Sequence, residues 1–153
     1  MVKSLFSVLI TVILIFSLCA CSAEKEFILS GFSADVSFAM DEEFVTGRLD
    51  FKGKDNIYFT IIKPENLEGI TFTKSTANID DVTINYSNFK DESPVFLLLS
   101  IVENLSECQI LLPLEGEFTL TGETSSAEYK AIFDCEKEKI KRIETGKFTY
   151  NFE

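Results

Sequence analysis

The chain has 153 residues, with 14 Lys and Arg against 25 Asp and Glu for a formal net charge of −11, and it contains neither histidine nor tryptophan. An acidic surface of this kind repels nucleic acid and anionic lipid head groups, so neither is an expected partner by charge. Without histidine the chain lacks the usual base at physiological pH, the usual activator of a nucleophile and the commonest transition-metal ligand. Ser–His and Cys–His mechanisms are excluded, no metal or cofactor site is expected, and the excess of acid reads mainly as solubility.

In chain order, the first segment is residues 1–21. Lys3 supplies a positive end, residues 5–16 form an almost unbroken apolar run, and Leu18-Cys19-Ala20-Cys21 closes it. Basic, apolar and small-residue regions in that order have the layout of a secretory signal. The cysteine after a small residue resembles the lipobox of bacterial lipoproteins. That resemblance implies that residues 1–20 are removed and that Cys21 carries a diacylglyceryl thioether as the first residue of the mature chain. Residues 21–26 then form a short polar tether, and residues 27–153 one domain. The alternatives are a retained transmembrane helix, for which the run is short and poor in flanking base, and an ordinary secretory signal with Cys21 present by chance.

From Phe32 the period is two: Phe32, Ala34, Val36, Phe38 and Met40 share one side, as expected of a half-buried antiparallel strand. After the charged turn Asp41-Glu42-Glu43, Val45, Gly47, Leu49 and Phe51 alternate with Thr46, Arg48, Asp50 and Lys52. Gly53-Lys54-Asp55-Asn56 turns the chain into a third strand, with Ile57, Phe59 and Ile61 on one face and Pro64 at its end. Shorter strands are expected at residues 69–73 and 81–86. These five make an antiparallel meander.

Ser93-Pro94 then reads as an N-cap followed by proline at the first helical position. Residues 95–105 are apolar on nearly every side and too short to span a bilayer, so this helix must be buried on most sides, in the concave side of a curved sheet. The alternative is a buried strand pair, which the Leu and Glu content disfavours. Residues 109–114, apolar around Pro113, fit neither pattern. Strands follow at residues 116–122, around Tyr129, Ala131 and Phe133, at residues 139–144, and at the end, where Phe148, Tyr150 and Phe152 share a face.

Lipobox, long meander, buried helix and closing hairpins together resemble the half-barrel superfamily of the periplasmic lipoprotein carrier and its outer-membrane receptor. The likeness is carried by Phe32-Ser33-Ala34-Asp35-Val36, by Gly47-Arg48-Leu49-Asp50-Phe51-Lys52, by residues 58–64, and by Ile143-Glu144 through Lys147-Phe148-Thr149-Tyr150-Asn151-Phe152. The family usually opens with a helix before its first strand, for which residues 22–26 leave no room. It often turns on glycine before its fifth strand, where Lys74-Ser75-Thr76-Ala77 stands here. The resemblance implies an α+β, mainly β fold: an antiparallel meander forming an open half-barrel with one buried helix in its concave side. Its carrier members act as soluble shuttles, which an anchored chain cannot do.

The functional expectation is a membrane-anchored, non-catalytic lipoprotein on the extracytoplasmic face of a bacterial membrane. Phe32, Phe38, Phe51 and Phe59, with Leu98 and Ile101 from the helix, would line an apolar cavity for a lipid or similar ligand, or else fill an ordinary core. In the second case the domain is a structural or interaction lipoprotein that meets an envelope protein through its surface. Cys108 and Cys135, left over in an exported domain, are expected to form a disulfide, the alternative being two free thiols. The acidic pairs at Asp80-Asp81 and Glu65/Glu68 read as solvated turns, and no enzyme is expected.

Overall fold

The structure, a computed structural model, describes residues 24–40, 43–85 and 93–153. The expected signal, Cys21, the acids Asp41 and Glu42, and Tyr86 lie outside the described residues. Among the described residues the fold is mainly β, with antiparallel sheets that do not close and one α-helix. The first strand is β1, Glu24–Phe27. A meander follows: β2 (Phe32–Met40), β3 (Glu43–Phe51), β4 (Ile57–Lys63), β5 (Thr71–Phe72), β6 (Thr76–Ile79) and β7 (Val82–Asn85). The helix α1 (Pro94–Glu107) crosses to β8 (Ile110–Pro113) and a second meander, β9 (Glu117–Glu123), β10 (Glu128–Asp134), β11 (Lys139–Thr145) and β12 (Thr149–Phe152). Ten strands pair in the order β7-β6-β5-β4-β3-β2-β12-β11-β10-β9. The two meanders join where β12 meets β2, with Phe152 opposite Val36.

The alternation read from the sequence puts the expected residues inside. Val36 and Phe38 on β2, Val45, Leu49 and Phe51 on β3, and Ile57, Phe59 and Ile61 on β4 are all buried. Cross-strand pairs such as Leu49 with Phe59 and Phe38 with Val45 lie on this inward face. β4 ends at Lys63, before Pro64, and a 3₁₀ turn follows at Glu65–Leu67.

Three expectations are corrected. The first meander has six strands rather than five, because Thr76–Ile79 pairs with both neighbours. The turns around it hold no glycine: Lys74-Ser75 is closed by the Thr73 N–H donating to the Thr76 carbonyl at 2.8 Å, and Asp80 takes a φ of 49° in the next. Asp tolerates that left-handed conformation, so the turn lacked the expected signal. Secondly, the tether does not extend to residue 26. Glu24, Lys25 and Glu26 belong to β1, which pairs with β8 in a separate two-stranded ribbon, Glu24 opposite Pro113 and Phe27 opposite Ile110. The same pairing assigns residues 110–113. Thirdly, Ser93 stands at the N-cap of α1 but its side chain makes no capping bond.

Helix α1 is buried on nearly its whole circumference, from Pro94 through Leu105, with only Ser100, Glu103, Asn104, Ser106 and Glu107 partly or fully open. Its first turn shows why the sheet must curve. Phe96 meets Phe72 of β5 edge-on at 5.8 Å, while the Pro94 carbonyl accepts the Tyr150 hydroxyl of β12 at 2.8 Å. Those two strands are four ladder steps apart, about 19 Å in a flat sheet. Side chains stand perpendicular to their sheet, so one helical turn receives both only if the sheet bends round it.

Candidate functional site

The six residues expected at an apolar cavity are brought together by β2, β3, β4 and α1. Phe38 retains 1% of its accessible surface, Phe51 3%, and Phe59, Leu98 and Ile101 0%, while Phe32 is half-buried at the rim. Phe38 packs against Phe59 at 5.9 Å and against Tyr150 at 5.4 Å, and Phe32 against Phe51 at 5.7 Å. A side chain beside a void wide enough for water keeps accessible surface facing that void. Leu98, Ile101 and Phe59 keep none. In this structure the concave side is a packed core with the helix as its filling.

Two tyrosines fasten the helix to the second meander. Tyr150 donates to the Pro94 carbonyl, and burial pushes its phenol above its ordinary range. Tyr129, at the start of β10, donates to Asn104 Oδ1 at 2.5 Å. Burial chiefly, with the charge of the neighbouring Cys108 sulfur, pushes the Tyr129 phenol up to about 12. Both hydroxyls therefore remain donors at any physiological pH.

The concavity is filled, but clefts open at the rim where the turn after β9 and the turn after β11 meet the helix. One, of about 600 Å³, runs over the start of β10 and is lined by Thr121, Glu123, Glu128, Tyr129, Lys130 and Glu144. A second, of about 310 Å³, lies between Leu97 of α1 and the segment Ala127, Gly146 and Lys147. They share Glu128, Thr145 and Gly146. The register builds the first: Glu123 stands opposite Glu128, and Lys130 opposite Glu144, on the outer face of the hairpins. Gly122 allows Tyr129 to lie across it, since a Cβ there would collide with the phenol ring. Carboxylates, one ammonium and an apolar floor can hold a cationic or hydroxylated surface by hydrogen bonds. Among the described residues no three His, Cys, Asp or Glu are grouped to hold a metal ion, and no described helix is long and apolar enough to cross a membrane.

In the sequence these rim residues read as a polar turn and strand ends. The available signal was a glycine flanking each turn, Gly122 and Gly146, with acids on the outward phase.

The expected disulfide is not formed. Cys108 and Cys135 are free thiols, the first exposed and the second buried. Cys108 caps the helix, where its Sγ donates to the Asn104 carbonyl at 3.3 Å, beside Tyr129. Cys135 follows the far end of the same strand β10, six residues on, or about 20 Å at the rise of a strand. A disulfide needs Cα atoms about 4.4–6.8 Å apart. Burial first, then Asp134, Glu117 and Glu136, push the Cys135 thiol up. Alkylation of the native domain at pH 8 should therefore modify Cys108 quickly and Cys135 only on unfolding, as peptide mass mapping would show. Equal rates for the two would contradict this placement.

In comparisons with known protein families, with curated proteins and with solved structures, nothing matches this chain.

Proposed function

We propose that this protein is a lipid-anchored, non-catalytic domain on the extracytoplasmic face of a bacterial membrane, an interaction module with a solid core. Cys21 is its lipidation site, and the rim clefts around Gly146 are where it meets an envelope partner. The observation that carries the reading is the filled concavity: Leu98 and Ile101 have no accessible surface, which supports a solid core around the helix. The lipobox at Leu18-Cys19-Ala20-Cys21 supports the anchor, and the absence of histidine supports a binding rather than a catalytic role. The resemblance to half-barrel lipoprotein carriers supports the address without supplying the cargo.

A second reading, binding of an acyl chain or other apolar ligand, is favoured by one observation. Leu97, on the helix, lines the smaller rim cleft beside Ala127, so a small apolar patch of α1 is reached from the surface between Glu128, Thr145 and Lys147.

Titration of a fluorescent fatty-acid analogue against the mature domain separates the two. The interaction reading expects no saturable binding. Saturable binding with a rise in Tm would replace it with the lipid-binding reading. For the anchor, Cys21→Ser should leave an uncut, unlipidated precursor. Recovery of that variant in the membrane fraction at mature size would remove the lipobox reading.

A further inference from the structure

The ribbon of β1 and β8 exposes large apolar side chains that the core does not use. Leu111 is 47% exposed, Leu114 56%, and Ile28, directly after β1, 70%. The ribbon has two faces by register. Phe27, Ile110 and Leu112 point into the core, and Phe27 stacks edge-on against Phe133 at 5.5 Å. Glu26 stands opposite Leu111 and Glu24 opposite Pro113 on the other face.

We propose that this outer face lies against the bilayer that carries the anchor, with Leu111 on that face and Leu114, just past the end of β8, inserted among zwitterionic head groups. The inference rests on lipidation at Cys21. Three chain steps separate Cys21 from Glu24, so Glu24 stays within about 11 Å of the lipidated residue. The head-group layer on each side of the hydrocarbon is itself roughly 5–8 Å thick. Glu24 is paired with Pro113, and Leu114 is the next residue, so the ribbon end that carries Leu114 is held nearest the membrane. The ribbon's inner face is taken by the core, which leaves the outer face to meet the lipid. Charge selects the head group. Glu24 and Glu26 flank Leu111, and Lys25 is engaged by Glu138. Carboxylates in this position pair with the ammonium of a zwitterionic head group and are repelled by an anionic one.

The chain has no tryptophan, so a single introduced indole reports its own position. Leu111→Trp and Leu114→Trp, at half-exposed sites that accept the larger ring, are made in the full lipidated protein. Phe44→Trp, 70% exposed on β3, is the comparison. Each is reconstituted in phosphatidylcholine vesicles with and without brominated acyl chains. The ribbon variants should show blue-shifted emission and lose most of it to bromine, Phe44→Trp should lose little, and replacing half the lipid with phosphatidylglycerol should weaken the quenching. A lipidated Cys21, verified by mass, with ribbon indoles insensitive to bromine overturns the ribbon contact and leaves the anchor standing. Equal quenching at all three sites also overturns it, because no face is then selected. An unmodified Cys21 overturns the anchor and the ribbon contact together.

Discussion

Leu98→Asp should abolish the folded domain, and Leu98→Ala should lower its stability by about 2–5 kcal/mol, toward the upper part of that range. Leu98 lies midway along α1 with 0% of its surface accessible, inside the cluster that includes Val36, Phe38, Leu49 and Phe59. A carboxylate there finds no cation within the apolar cluster, and an unpaired buried charge costs several kcal/mol, comparable to the whole stability of a small domain. The alanine variant removes the same contacts without the charge. A packed site can collapse only partly around the gap, so the loss combines transfer free energy with a cavity contribution. Ile101→Asp, one turn on and equally buried, should repeat the result. Urea unfolding followed by circular dichroism measures it. A loss below about 1 kcal/mol for Leu98→Ala would mean the helix faces empty space after all, and the solid-core reading would fall.

Gly47→Ala should be destabilising despite adding a single methyl group. Gly47 sits on β3 opposite Ile61, where the ladder to β4 shifts register and leaves Ile62 bulged outward. A Cβ at Gly47 would lie 2.6 Å from the Thr60 carbonyl oxygen and closer still to the Phe59 ring. The carbonyl belongs to a paired strand and the ring to the core, so neither yields easily. Overpacking of this kind costs about 1–3 kcal/mol, occasionally more. Gly146→Ala is the matched control. No atom lies within 4 Å of its Cβ position and its φ is not in the left-handed region, so the methyl enters open space. The expected change is between zero and a gain of about 1 kcal/mol from the stiffer unfolded chain. Thermal melts of the pair decide the matter, since equal Tm values would show that the Gly47 site relaxes freely.

Much of this fold was legible residue by residue. Alternation at Phe32–Met40 and in the strands that follow names the buried face, because successive side chains in a strand point opposite ways. Ser93-Pro94 before an all-round apolar run marks a buried helix start, because proline's missing N–H has no partner to lose there. Those signals are local: they say which face is buried and not what covers it. Only the tertiary structure decided that Glu24–Phe27 pairs with Ile110–Pro113, since four-residue strands with distant partners leave too short a pattern to register. It also decided that β12 closes on β2. The aromatic residues gave no warning that they would fill the concavity rather than line it, because a Phe that packs on a neighbour and one that faces a ligand share the same phase. The two thiols were separated by strand length alone, Cys108 beside the start of β10 and Cys135 beyond its end, and composition does not carry that distance.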